Sequence, residues 1–257
     1  MQNKIIFEQP LNERMRNLLR LEHLFDLIAF RSQESISKWD YRNILESLLE
    51  INDLLSRSDF KTELIKELER HSLMLTALEN NPAVDQTRLR QINSDIGELS
   101  LELKSSSYQP GNSLKEDELV TSFKQRTSIP GGTCNFDLPR LHYWLNQANV
   151  KQLQDLENWS KDIEPIKKST HLALDMIRNS TNPVKEKAES GFFQKPIESD
   201  IACQLIRVIL PSASRYYPEI SGGKHRFTIR FMEETSTINR PSQTSSDVEF
   251  ELHCCIL

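Results

Sequence analysis

No stretch of the chain approaches the roughly 20 consecutive apolar residues needed to cross a bilayer. Residues 1–10 also lack the basic-then-apolar order of a secretory leader. A soluble, cytoplasmic protein with no membrane partner is the resulting expectation. Cysteine is scarce: Cys134, Cys203, Cys254 and Cys255 are the four in 257 residues. They contain no CxxC pair, and neighbours such as Cys254 and Cys255 do not bridge one another within ordinary disulfide geometry. Reduced thiols in a reducing compartment are expected. Positive charge is not in excess either. With a net charge of −5, any basic recognition has to be a local patch on an acidic background. Nucleic acid is therefore not the expected partner, and a basic-patch nucleic-acid module is kept as the alternative reading.

Catalytic signatures are missing as well. There is no HExxH, no GxSxG, no dinucleotide fingerprint and no nucleophile flanked by a base. The Gly131–Gly132 and Gly222–Gly223 pairs do not meet the GxxxxGK[ST] spacing of a phosphate loop, and the six histidines are dispersed. Local carboxylate pairs such as Glu67 with Glu69, or Glu233 with Glu234, read as solvated faces rather than acid/base dyads. The expectation is a protein that is not an enzyme and holds no cofactor or metal.

What is present is helical periodicity, followed by alternation. After the short alternating segment NKIIFEQP, residues Leu11, Met15, Leu18, Phe25 and Ile28 mark one apolar stripe, and Tyr41, Ile44, Leu45, Leu48, Ile51 and Leu55 another. Leu64, Leu68, His71, Leu75 and Leu78, then Leu89, Ile92, Ile96, Leu99 and Leu103, advance in steps of three and four on either side of a break at Asn80, Asn81 and Pro82. This predicts an antiparallel helical hairpin over 58–104, with arms of about 20 residues and roughly 30 Å each. His71 reads as a seam histidine. Further helices are expected over 114–126, from an N-cap at Asp137 through RLHYWLNQ, over 151–161 and over 164–179.

From residue 182 onward, SGFFQ, ACQLIRVIL, HRFTIRFM and DVEFELHCC read as strands. The predicted class is α+β, predominantly helical: a helical domain over 10–180 with a long antiparallel hairpin, and a small, mainly antiparallel β domain over 181–257 joined by the N-terminal strand 1–9. The terminal CCIL formally matches a prenylation box with Cys254 as acceptor. The alternation of Val248, Phe250, Leu252 and Cys254 makes it a closing strand instead.

Residues 221–232 read SGGKHRFTIRFM. Taken as a strand, Lys224, Arg226, Thr228, Arg230 and Met232 share one side, and His225, Phe227, Ile229 and Phe231 the other. The cationic side is either half of a set of cross-strand ion pairs with Glu249 and Glu251 or a face for an anionic partner. Stacking on nucleic acid would need aromatics among the cations, whereas Phe227 and Phe231 alternate away from them.

FEQPLNERMR, KTELIKELER, VDQTRL, QRTSIPGGTCNFDLPRLHYWL, YPEISGGKHRFTIRFM and FELHCC, in this order and spacing, closely resemble the ZapD family of bacterial cell-division proteins. The resemblance runs nearly from end to end. It implies a cytoplasmic homodimer at the division septum. Such a dimer binds the C-terminal tail of the tubulin-like GTPase FtsZ, bundles its filaments and stabilises the Z-ring. It further implies a basic pocket for the tail that includes Arg57, Arg226 and Arg230, with Lys224 adjacent. A basic residue before the last strand is also implied, where this chain has Asp247; Arg240, in the preceding loop, is the candidate substitute.

Overall fold

The computed structural model describes residues 4–33, 36–57, 59–79, 81–82, 84–197, 203–223, 225–233 and 240–256, and of Arg57 only the backbone. The elements run β1 (Lys4–Pro10), α1 (Glu13–Arg31), α2 (Lys38–Arg57), α3 (Phe60–Leu78), α4 (Gln86–Lys104), α5 (Asn112–Glu116), α6 (Glu118–Thr127), α7 (Pro139–Leu145), α8 (Asn149–Ser160), α9 (Glu164–Arg178), β2 (Val184–Ala188), β3 (Phe192–Pro196), β4 (Cys203–Pro211), β5 (Tyr216–Gly222), β6 (Arg226–Glu233), β7 (Ser242–Gln243) and β8 (Val248–Ile256). The fold is α+β and mainly helical. Two compact units are formed, one from Arg20–Ala173 and one from Met1–Leu19 with Leu174–Leu257.

In the helical unit the heptad spacing produces the antiparallel pair α3 and α4. Leu64, Leu68 and His71 of one arm and Leu89, Ile96 and Leu103 of the other are buried, while Leu78 at the tip is 40% exposed. Asp85 starts α4 as its N-cap, accepting from the backbone N–H groups of Thr87 and Arg88 at 2.9 and 3.1 Å. Glu67 overturns its reading as part of a solvated face. It is fully buried, because its position one turn before His71 places it on the seam. There it meets His71 Nε2 at 2.9 Å and the guanidinium of Arg70.

Two helix starts differ from the sequence reading. Asp117 interrupts the expected 114–126 helix and caps α6 by accepting from Leu119 and Val120. The N-cap of α7 is Leu138, with Pro139 in the first turn. Asp137 instead accepts from the Cys134 thiol at 3.4 Å. The preceding SIPGG turn needs both glycines: Gly131 has φ +71, and a Cβ on Gly132 would lie 2.7 Å from the Arg126 carbonyl oxygen.

The β unit is a two-sheet sandwich. One sheet has the order β1-β4-β8-β2; the other has β3-β6-β5, with β7 also pairing with β6. All pairings are antiparallel. Between the sheets, Ile206, Val208, Leu210, Val248, Phe250 and Leu252 meet Phe227, Ile229 and Phe231. The Phe231 and Phe250 rings are 5.0 Å apart, and Phe193 stands edge-on to Phe250 at 5.3 Å.

Strand β4 is an apolar run rather than an alternation because both its faces are covered: Leu205, Ile206, Val208, Ile209 and Leu210 are all buried. On the face away from the sandwich core, Glu8 of β1 sits in register with Arg207 of β4. It accepts from Arg178 Nε and Nη2 at 2.9 and 2.7 Å and lies 2.8 Å from Arg207 Nε.

Two energetic consequences can be measured as shifts of the urea unfolding midpoint. Phe231→Ala, which empties a ring site between the sheets, is expected to cost about 3–5 kcal/mol. Glu8→Ala, which leaves two largely buried guanidinium groups facing each other, is expected to cost about 3 kcal/mol.

Candidate functional site

Strand β6 lies in the middle of its sheet, and its burial alternates residue by residue. Phe227, Ile229 and Phe231 are at most 1% exposed, whereas Arg226 and Arg230 are exposed and Thr228 and Met232 half-buried. His225 precedes the strand and is exposed. The period-two reading of this stretch therefore holds from Arg226 onward, and the pleat commits both arginines to the outer face of the sheet.

The neighbours on that face follow from the register. Phe192 of β3 and Glu219 of β5 flank Arg230, Gln194 and Ser221 flank Thr228, and Pro196 lies beside Arg226. Arg226 stands beyond the last β5 partner, since Gly222 pairs with Phe227. Among the described residues neither arginine makes an ion pair or a side-chain hydrogen bond. Two guanidinium groups, ten N–H donors in all, are thus held open to solvent on a rigid strand.

The alternative reading, cross-strand ion pairs with Glu249 and Glu251, is not formed. Those residues lie on β8, which belongs to the other sheet, where they register with Lys187 and Lys185 of β2. Glu251 also binds Lys4 Nζ at 2.8 Å. The next strand after β6 in chain order among the described residues is the two-residue β7, and the chain then crosses to the opposite sheet before β8. The outer face of the first sheet accordingly carries a groove of about 700 Å³ in which lysines and glutamates alternate.

The other residues singled out from the sequence are distributed as follows. Arg57 ends α2 in the helical unit; its side chain and Lys224 lie outside the described residues. Arg240 is exposed and sits two residues before β7, whose Ser242 pairs with Glu233. It lies past the C-terminal end of β6, while Arg226 opens that strand, and the seven intervening steps span roughly 23 Å. Asp247 does not join the arginine face. It pairs with Lys187 at 2.8 Å and accepts from the Ser190 backbone N–H at 3.0 Å. The lysine bond, with the Ser190 bond behind it, holds the Asp247 carboxyl below its ordinary value and raises the Lys187 ammonium.

The sequence reading missed Phe192, 39% exposed on the same face as Arg230. The signal for it was the doubled Phe192–Phe193: in a pleat only one of two adjacent rings can enter the core, and Phe193 does. In the helical unit a cleft of about 280 Å³ runs between the SIPGG turn and α7, lined by residues that include Trp39, Arg42 and His142. Arg42 is committed within it, to Glu46 at 2.9 Å and to the Thr133 hydroxyl at 3.1 Å.

Burial pushes the Cys255 thiol up to about 12. Cys254 is half-buried within β8. Among the described residues no group of three or more His, Cys, Asp or Glu is placed to hold a metal ion. No helix among them is long and apolar enough to cross a membrane.

Comparison with known proteins connects this architecture to one family. A family model described as ZapD, cell division protein, matches residues 19–230. The cell division protein ZapD of Methylococcus capsulatus is 41% identical over 257 residues, covering the whole of both chains. That of Klebsiella pneumoniae is 36% identical over 255 residues, 99% of this chain and 100% of its own. That of Coxiella burnetii is 34% identical over 252 residues, 98% of this chain and 97% of its own. The chain belongs to the ZapD family of cell division proteins.

Proposed function

We propose that this protein binds the C-terminal tail of FtsZ through the outer face of the β3-β6-β5 sheet and, as a homodimer, cross-links FtsZ filaments at the division septum. The observation that carries the reading is the pair of exposed arginines on β6. They have no ion-pair partner among the described residues, whereas on the opposite sheet Lys4 and Lys187 are each paired with a carboxylate. A guanidinium left without a partner on a rigid strand is prepared for a bidentate grip on an incoming carboxylate, which a lysine cannot reproduce. The family resemblance adds Arg57, Lys224 and Arg240 to the proposed binding set.

A protein with one site per chain cannot bridge two filaments unless it is at least bivalent. Two linked sites hold a second filament by effective concentration, without any new contact. The reading assigns the protein no chemistry of its own. Its effect on FtsZ is organisational.

Two outcomes test this. The Arg226→Glu, Arg230→Glu double variant is expected to lose tail-peptide binding by more than 100-fold in a fluorescence anisotropy titration, and to lose filament bundling in light scattering. Its urea midpoint should stay within the about 0.5 kcal/mol expected of exposed substitutions. Parent binding should weaken as salt rises and screens the contact, and a random oligonucleotide should not compete. A folded double variant that still bundles filaments like the parent would remove this face from the account. Sedimentation equilibrium at micromolar concentration is expected to return twice the 29.9 kDa chain mass; a species of one chain mass would contradict the bridging mechanism.

A further inference from the structure

The arginine face is not purely a charge patch, and its layout says more about the ligand. Arg226 and Arg230 are four residues apart on one strand, so their Cα atoms are about 13 Å apart at about 3.3 Å per residue. That separation matches two side chains four residues apart on an extended peptide of the same rise. Phe192 stands directly across from Arg230 on β3, within the about 5 Å typical of facing residues. Its neighbour Phe193 is anchored against Phe227 and Phe250, which holds Phe192 outward. The half-buried Met232 lies on the same outer face.

On the other flank of Arg230, Glu219 is exposed and engaged in no ion pair among the described residues. An acidic ligand is therefore repelled from the β5 side and favoured over β3 and β6. We infer that this face reads an extended acidic segment at three points, with Arg226 and Arg230 taking carboxylates about four residues apart and Phe192 taking a bulky apolar side chain next to the second one. The inference rests on the FtsZ-tail reading and adds to it the apolar anchor and the spacing.

The test titrates the full-length protein with a synthetic FtsZ tail peptide, and with peptides in which each apolar residue is replaced by serine and each acidic residue by its amide, at several salt concentrations. Phe192→Ala is expected to weaken binding about 10-fold at every salt concentration, leaving the salt slope unchanged, and Phe192→Leu to restore most of the loss. Arg230→Ala is expected to flatten the slope, and Glu219→Gln to tighten binding a few-fold. One serine-substituted peptide should lose about 10-fold against the parent and nothing further against Phe192→Ala. Two amide substitutions about four residues apart should each flatten the slope. If Phe192→Ala and every serine peptide bind within twofold of the parent pair while the double arginine variant does not bind, the face reads charge alone and the inference falls, with the tail reading intact. If the double arginine variant also binds like the parent, both fall together. The peptide series on the parent protein decides the matter even if Phe192→Ala does not fold.

Discussion

The pleat of one strand governs the candidate surface. Phe227, Ile229 and Phe231 fill the space between the two sheets of the β unit, and no register that keeps them there can turn Arg226 or Arg230 inward. A one-residue slip would bury two guanidinium groups and expose three large apolar side chains, at a cost no fold of this size could carry. The cationic face is thus a mechanical consequence of the core. Its orientation is as secure as the hydrophobic packing behind it.

The two sheets treat charge in opposite ways. On the outer face of the β1-β4-β8-β2 sheet, lysines and glutamates alternate across strands, and two of the lysines are paired with carboxylates, Lys4 with Glu251 and Lys187 with Asp247. Deeper on the same sheet Glu8 gathers Arg178 and Arg207. On the outer face of the β3-β6-β5 sheet, two arginines, one glutamate and one phenylalanine remain exposed. Apart from the largely buried Glu8 cluster, the exposed charges of either face contribute little to stability. The difference lies in what each face offers to another molecule: one carries charges of both signs, Lys4 and Lys187 among them already paired, and the other carries two arginines with no ion pair among the described residues.

Much of this was legible in the sequence wherever the information is local. The three-four spacing of Leu64, Leu68 and His71 against Leu89, Ile96 and Leu103 produced the hairpin, and strict alternation produced the two faces of β6. Strand partnership was not legible, because it depends on which segments meet across long stretches of chain. Glu249 and Glu251 follow β6 in sequence, yet they sit in the other sheet. Strand β2, VKEKA, carried no apolar signal because it is an edge strand that buries only Ala188. Glu67 was legible in spacing, three residues after Leu64 and four before His71, but its charge argued for solvent, and the partners His71 and Arg70 that let it be buried became visible only in the structure. Within the candidate face, the arginines came from alternation and family resemblance, and Phe192 emerged only once β3 was placed beside β6.

The central claim is that the ligand lies across β3 and β6. Photo-crosslinking an FtsZ tail peptide that carries a photoreactive phenylalanine, followed by mass-spectrometric mapping on the full-length protein, tests it most directly. Crosslinks within Phe192–Pro196 and Arg226–Glu233 are the predicted result. Crosslinks confined to the α3–α4 hairpin or to the Lys–Glu face of the opposite sheet would contradict it.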